Sequence, residues 1–351
     1  MNVKSPLPGS ALATMGAVLL LLASCAAPPP PPHPVADDPR WLVYPGGDGP
    51  GSGKHIVLVA ADQEYRSEQS MPMLAKVLAT HHGFHCTVLF AQHDGLVDPT
   101  QKTAQEDKSI VHDIPGLEHL AKADLLILFT RFMTLPAPQL AHILDYLDSG
   151  KPIVALRTAN HGFLGAFPYQ VNGKRVRFGE DVLGGTFLGH HGNWHADSTR
   201  GILIPEQLAH PILRGVTDVW GPSDVYRTYR EGSSLPEGCT ALVLGQPLLG
   251  RKHGDAPNPE KEPLPVAWTK TWTGNLGKTA RVFHFTMGSG ADFESEGVRR
   301  IAVNAAYWCM GLEDRITPDR SVAYVGPYAP LDTGFDYARL GVVPKPVAAY
   351  R

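Results

Sequence analysis

The densest cluster of side chains that could do chemistry is a short histidine-rich segment. His190, His191 and His195 lie within the run His190-His191-Gly192-Asn193-Trp194-His195. Imidazoles exchange protons near neutral pH and bind divalent metals such as zinc. The glycines favour a loop, and the spacing is not that of a helical zinc motif. The segment is therefore compatible with a metal site on His190, His191 and His195, with an ordered metal-free pocket, or with a solvated loop; the sequence establishes no cofactor.

Further candidates directly follow apolar runs that are typical of buried parallel strands. In open parallel sheets, ligands bind beyond the carboxyl ends of the strands, so polar residues at these points are site candidates. The residues to which we assign general acid or base chemistry are Glu64, His161, His190 and His191. The residues to which we assign substrate contacts are Asp62, Tyr65, Arg131, Arg157, Asn160 and Trp194.

Two of these assignments have clear alternatives. The planar fork of Arg157 suits a carboxylate or sugar hydroxyls, but a structural salt bridge would use the same geometry. Trp194 beside polar groups is typical of a platform for sugar rings, and an ordinary packing tryptophan is equally compatible with the sequence.

The elements that would position these residues alternate along the first half of the chain. Continuous apolar runs at 55–61, 86–90, 123–129 and 152–156 predict strands buried on both faces. Helical periodicity lies between them, most clearly at 139–147. This order predicts a doubly wound parallel sheet with right-handed crossovers. Later strands at 199–204, 240–245, 264–269 and 281–286, a hairpin on Asn172-Gly173 and a helix at 298–310 complete the pattern.

The N-terminus predicts export. A mostly apolar run at 11–22 follows Lys4 and is shorter than the roughly 20 residues of a membrane span, so it fits the core of a signal peptide. It ends in Leu22-Ala23-Ser24-Cys25, which resembles the lipobox of bacterial lipoproteins and implies lipidation of Cys25. An ordinary cleaved signal with a chance cysteine is the alternative. We expect a lipid-anchored protein of the bacterial cell envelope that faces the periplasm or the exterior.

The sequence predicts four segments. They are a signal peptide at 1–24, a proline- and glycine-rich spacer at 25–53, a globular domain at 54–315 and an irregular tail at 316–351. The formal net charge is −3, and the sequence shows no basic patch of the kind that binds nucleic acids. We therefore expect no nucleic-acid partner. Three cysteines remain after lipidation, and an odd count does not form a disulfide framework.

A family resemblance covers most of the globular part. The segments at 62–68, 129–132, 189–192, 210–216, 220–226, 265–269, 285–288 and 303–305 resemble, in order, those of the trehalose-utilisation (ThuA-like) family. The resemblance implies the class I glutamine amidotransferase-like fold, a flavodoxin-like α/β sandwich whose mostly parallel central sheet carries added antiparallel strands. It also implies carbohydrate utilisation.

Amidotransferase chemistry does not come with that fold. Glutamine amidotransferases carry a cysteine on the turn after a strand that corresponds to 151–156, and this chain has Arg157 there. A guanidinium stays protonated and offers no lone pair for attack. Their later histidine corresponds at best to His284, where the following carboxylate is missing.

Two functions remain open. The first is an envelope enzyme that acts on a sugar or sugar-derived substrate as a hydrolase, lyase or isomerase. The second is a non-catalytic carbohydrate-binding or accessory lipoprotein. Both functions imply a carbohydrate or small-molecule ligand and a membrane anchor. The sequence leaves the oligomeric state open.

Overall fold

A ten-stranded mixed sheet forms the centre of the fold. The structure is a computed structural model that describes residues 1–3, 5, 33–164, 167–231 and 233–351. In chain order its strands are β1 (Trp41–Tyr44), β2 (His55–Ala61), β3 (His85–Phe90), β4 (Leu125–Thr130), β5 (Ile153–Leu156), β6 (Thr199–Leu203), β7 (Val219–Gly221), β8 (Thr240–Pro247), β9 (Leu264–Thr273) and β10 (Thr279–Phe285). Their spatial order is β1-β3-β2-β4-β5-β10-β9-β8-β6-β7.

The sheet combines a parallel centre with antiparallel additions. Strands β3, β2, β4, β5 and β10 pair in parallel. Strand β1 adds to β3 in antiparallel fashion, and β9, β8, β6 and β7 continue antiparallel from β10. The predicted fold class, a flavodoxin-like α/β sandwich with a mostly parallel centre and added antiparallel strands, is confirmed.

Two apolar layers explain why the central strands read as continuous apolar runs. In β2, Ile56 and Leu58 face one core, while Val57 and Val59 face the other. Helices α1 (Ser67–His82) and α3 (Glu296–Cys309) pack in the first core, and α2 (Ala137–Asp148) packs in the second. Side chains of a strand alternate between faces, so a strand covered on both sides needs apolar residues at every position.

Several short strands and helices lie in the loops between the strands of the main sheet. The predicted hairpin is present as strands Gln170–Val171 and Lys174–Arg175, with Asn172 and Gly173 both at positive φ, as a type I′ turn requires. Two more ribbons pair Gln92–His93 with Leu96–Val97 and Gly189–His190 with Tyr226–Arg227. A 3-10 helix, Leu117–Lys122, stands before β4, and another, Arg157–His161, follows β5 directly.

The last residues lie against the domain. The backbone of Lys345 pairs with Val97, Val347 is buried in the first core, and a short helix, α4 (Tyr337–Leu340), precedes them in the chain. The predicted anchor Cys25, most of the predicted signal peptide and residues 25–32 of the predicted spacer lie outside the described residues, whereas the rest of the spacer is described and contains β1. Within the described ranges, no helix is long and apolar enough to cross a membrane.

Buried neutral histidines should make this fold sensitive to acid. Burial lowers the pKa of His284 and of His82 to about 3, and that of His55 to about 4. Between these values and the ordinary pKa of 6.5, the unfolded chain binds protons that the folded chain does not, so stability falls as pH falls. We expect the free energy of unfolding, from urea titrations, to decrease below pH 6.5 by up to about 1.4 kcal/mol per pH unit for each such histidine.

The variant His284→Gln, which keeps a side-chain donor for the carbonyl of Ala155, is the control for that measurement. Its stability should fall less steeply with acid than that of the parent chain. A parent profile that is flat between pH 7 and pH 5 would contradict the assignment.

Candidate functional site

The candidate site lies where the carboxyl ends of β2, β4 and β5 meet a ribbon from later in the chain. Strands Gly189–His190 and Tyr226–Arg227 pair so that His190 stands opposite Tyr226. The ring of Tyr226 lies 5.7 Å from His190 and 6.0 Å from His161, centroid to centroid. The ribbon therefore brings His190 to the sheet edge that carries His161.

Arg157 forms the floor of the site. It is the first residue after β5 and has a φ of 43°, a strained conformation for a residue with a side chain. Nη1 donates to the carbonyl oxygens of Asp224 (2.8 Å) and Thr286 (2.7 Å), and Nη2 donates to Asp224 Oδ1 at 3.0 Å. Its guanidinium lies between the rings of Tyr65 and Tyr226, 4.3 and 4.0 Å from their centroids.

The substrate roles of Arg157 and Tyr65 stay predictions, and the structure places neither side chain at the surface. Both residues are buried, with 0% and 1% of their surfaces exposed. The two Nη groups of Arg157 are bonded to Asp224 and Thr286, which corresponds to the alternative of a structural salt bridge, and Nε has no partner among the described residues.

Asp224 connects this floor to His190. Its Oδ2 lies 2.7 Å from His190 Nδ1, while Oδ1 accepts from Arg157. Burial raises the pKa of the Asp224 carboxyl, but the bond from His190 and the charge of Arg157 outweigh burial and leave that pKa below its usual range. An ionised Asp224 holds the proton of neutral His190 on Nδ1, so Nε2 is the nitrogen left for a substrate. The His190 side chain is 33% exposed.

His161 is held in a similar way beside the same aromatic rings. Its Nδ1 lies 2.6 Å from Asn160 Oδ1, and its ring lies between Phe132 and Phe187 at 4.7 and 4.8 Å. Burial lowers the pKa of His161 well below its ordinary value, and the charges of Arg131 and Arg157 lower it further, so the ring is neutral. Asn160 is buried, and its Nδ2 has no partner among the described residues.

Glu64 organises the opposite side of the site. Trp194 Nε1 donates to its Oε1 at 2.7 Å, Arg131 Nε lies 3.3 Å from its Oε2, and His195 Nε2 lies 3.5 Å from Oε1. Burial raises the pKa of Glu64, but these groups outweigh it and leave the pKa below its ordinary value. Glu64 is thus a buried carboxylate held by positive and polar neighbours, and it contacts Trp194 and Arg131; its acid or base role stays a prediction.

Arg131 and Trp194 occupy the rim that Glu64 supports. The Arg131 guanidinium lies 5.1 and 4.9 Å from the rings of Phe132 and Phe335, the latter in the C-terminal tail. Trp194 is 45% exposed, and its ring lies 6.0 Å from His190. Trp194 thus lies next to His190, while the charge of Arg131 acts on His161.

Asp62 and His191 lie apart from this arrangement. Asp62 is buried and accepts bonds from the backbone N–H groups of Glu64 and Tyr65 and from the Thr158 hydroxyl, and its substrate role stays a prediction. Burial raises its pKa. His191 Nε2 contacts the carbonyl of Glu262 at 2.8 Å, outside the group formed by His161 and His190, and its acid or base role stays a prediction.

The predicted metal set is not assembled. His190 is bonded to Asp224, His191 to Glu262 and His195 lies by Glu64, so the three rings serve three different partners. In the part of the chain that the structure describes, no group of three or more His, Cys, Asp or Glu side chains is arranged to hold a metal ion.

Sequence reasoning did not identify Asp224, Tyr226 or Phe187 as site residues. Asp224 is 34 residues from His190 in the chain. It lies in a segment where the sequence predicts no strand and shows no catalytic motif. The available signal was the polar pair Ser223-Asp224 directly before Tyr226, in one of the segments that resemble the family.

Comparison with known proteins agrees with this architecture. The family model for ThuA, described as trehalose utilisation, matches residues 56–309. The chain belongs to the ThuA family.

Solved structures include similar ThuA-like proteins. One from Parabacteroides merdae has 15% identity and a TM-score of 0.46, covering 85% of this chain and 99% of its own. Another from Bacteroides uniformis has 16% identity and a TM-score of 0.45, covering 76% and 94%. No curated protein sequence matches this ThuA-family chain.

The buried ion pair on the site floor gives a stability prediction. The substitution Arg157→Met removes the guanidinium and leaves the Asp224 carboxylate buried with only His190 beside it, so we expect a loss of about 3–5 kcal/mol in the free energy of unfolding. Chemical denaturation measures it. The control Arg339→Ala, in an exposed pair with Asp336, should cost less than about 1 kcal/mol. Equal effects of the two substitutions would contradict the assigned role of Arg157.

Proposed function

We propose that this ThuA-family chain is an acid–base enzyme that acts on a sugar or sugar-derived substrate, with His190 as the general base. The observation that carries the proposal is the chain of contacts from Arg157 through Asp224 to His190. Asp224 fixes the ring and stabilises the imidazolium that forms when Nε2 takes a proton. A buried carboxylate that fixes an exposed imidazole is the arrangement by which enzymes orient a general base.

His161 supplies a second neutral imidazole. With Nδ1 engaged by Asn160, its Nε2 can accept a hydrogen bond from a substrate hydroxyl. A depressed pKa keeps that acceptor available at neutral pH. His161 thus orients the substrate, and His190 moves the proton.

A cavity of about 430 Å³ opens beside His161. Phe132, Phe163, Phe187 and Asn160 contribute to its wall. Aromatic faces with a few polar groups suit a sugar ring, which has apolar faces and a polar edge, and the volume lies within the range of small-molecule sites. The reaction is of the hydrolase, lyase or isomerase type, since each requires proton transfer at a sugar carbon or oxygen.

Two substitutions test the catalytic proposal. Against a panel of mono- and disaccharides and their oxidised and acidic derivatives, followed by NMR, we expect the parent chain to convert at least one compound. His190→Asn and Asp224→Asn should each lower kcat by about 10²–10⁴-fold. The control His253→Ala, an exposed histidine paired with Asp218, should leave kcat unchanged. If His190→Asn and the parent chain have equal kcat values, His190 is not the general base.

The exposed face of Trp194 favours the second candidate, a carbohydrate-binding or accessory protein, since an exposed indole can hold a sugar without any reaction. The same panel separates the two candidates. Sugar binding in calorimetry with no conversion by the parent chain, and with unchanged affinity in His190→Asn, would favour the accessory role.

We further propose that the chain works in the bacterial envelope, held by lipid on Cys25. The support is the apolar run at 11–22 followed by Leu22-Ala23-Ser24-Cys25. In a bacterial host, the parent chain should incorporate labelled palmitate and sediment with membranes, and Cys25→Ala should do neither. Membrane sedimentation of Cys25→Ala equal to that of the parent would overturn the anchor.

A further inference from the structure

The cavity beside His161 does not end at one sugar ring. A second cavity of about 300 Å³ shares Arg177, Glu180 and Thr186 with the first as lining residues. A third, of about 450 Å³, shares Tyr229 and Arg230 with the second. The shared residues place the three cavities next to one another, and we call this row of cavities the groove.

The groove follows the ribbon that carries the candidate base. Phe187, next to the strand Gly189–His190, lines the first cavity, and Leu188 lines the second. Arg227, opposite Gly189 in the ribbon, lines the third. The three cavities therefore lie beside the ribbon that carries His190, and Phe187, Leu188 and Arg227 are the residues of this region that line them.

The charges along the groove are balanced. Its lining carries four guanidinium groups and four carboxylates, namely Arg175, Arg177, Arg227, Arg230, Glu180, Asp181, Glu231 and Glu262. A groove for a polyanion would carry an excess of arginine, and one for a cationic ligand an excess of carboxylate. Interspersed donors and acceptors match hydroxyl groups, which both donate and accept.

Aromatic side chains recur along its length. Half-buried Phe163 and Phe187 line the first cavity, and half-buried Tyr229 lines both the second and the third. Flat rings separated by paired charges are suited to successive sugar rings, each with an apolar face and a hydroxyl edge.

We propose that the groove binds a neutral oligosaccharide of three or more rings, with one end at His161 and the remainder running past Arg177 and Tyr229. This inference rests on the proposed function, because it extends the same site from a sugar ring to a sugar chain.

Calorimetry with the purified full chain tests the proposal, using glucose, maltose, maltotriose and maltotetraose and the matching cello-oligosaccharides. In at least one series, the Kd should fall by about tenfold or more from one ring to three. Tyr229→Ala should bring the trisaccharide to within about threefold of the monosaccharide while leaving the monosaccharide Kd unchanged. Arg230→Ala, which truncates an exposed side chain, should weaken trisaccharide binding in the same selective way.

Several results would overturn the inference. Affinity independent of length, equal loss for one and three rings in Tyr229→Ala, or stronger binding of oligogalacturonides than of neutral chains would each contradict it. If conversion of a monosaccharide depends on His190 but affinity does not depend on chain length, the proposed function stands and the oligosaccharide groove is wrong. If affinity depends on chain length but His190→Asn leaves kcat unchanged, the groove stands and the role of His190 is wrong. If no sugar binds, both proposals are wrong.

Discussion

The site depends on how the chain accommodates one buried cation, the guanidinium of Arg157. A buried charge costs several kcal/mol unless it is paired and its donors are satisfied. Here Asp224 supplies the opposite charge, two backbone carbonyls accept from Nη1, and two tyrosine rings lie within 4.3 Å of the guanidinium carbon. These groups come from three separate segments, at Tyr65, at Asp224 to Tyr226 and at Thr286, so the pairing ties the ends of β2, β5 and β10 and the ribbon together.

The same pairing fixes the electrostatics at the site opening. The bond from His190 and the charge of Arg157 hold the pKa of Asp224 below its usual range despite burial, and the ionised Asp224 orients His190 and leaves its Nε2 available. Glu64 acts in a comparable way on the other side, where it holds Trp194 and Arg131. The exposed reactive groups are therefore set by carboxylates that are themselves buried, an arrangement in which the buried shell determines the geometry and the protonation of the exposed one.

The sequence predicted the sheet better than the site. Runs such as 55–61 are apolar at every position because both faces are covered, which is a local property that one sequence displays. The Arg157–Asp224 pair joins residues 67 positions apart, and no local pattern distinguishes a buried arginine from one that binds substrate. Strand-end reasoning correctly brought His161 and Arg157 to one edge, and the ribbon added His190. It could not tell which side chains point inward, and this is why Asp62, Tyr65 and Arg157 were assigned to the substrate.

Asp224 fixes which nitrogen of neutral His190 carries the proton. Heteronuclear NMR of the His190 imidazole nitrogens, in the parent chain and in Asp224→Asn, measures this at a pH where the ring is neutral. We expect a proton on Nδ1 and a free Nε2 in the parent, and a loss of that preference in Asp224→Asn. A proton on Nε2 in the parent, or the same tautomer in both proteins, would contradict it.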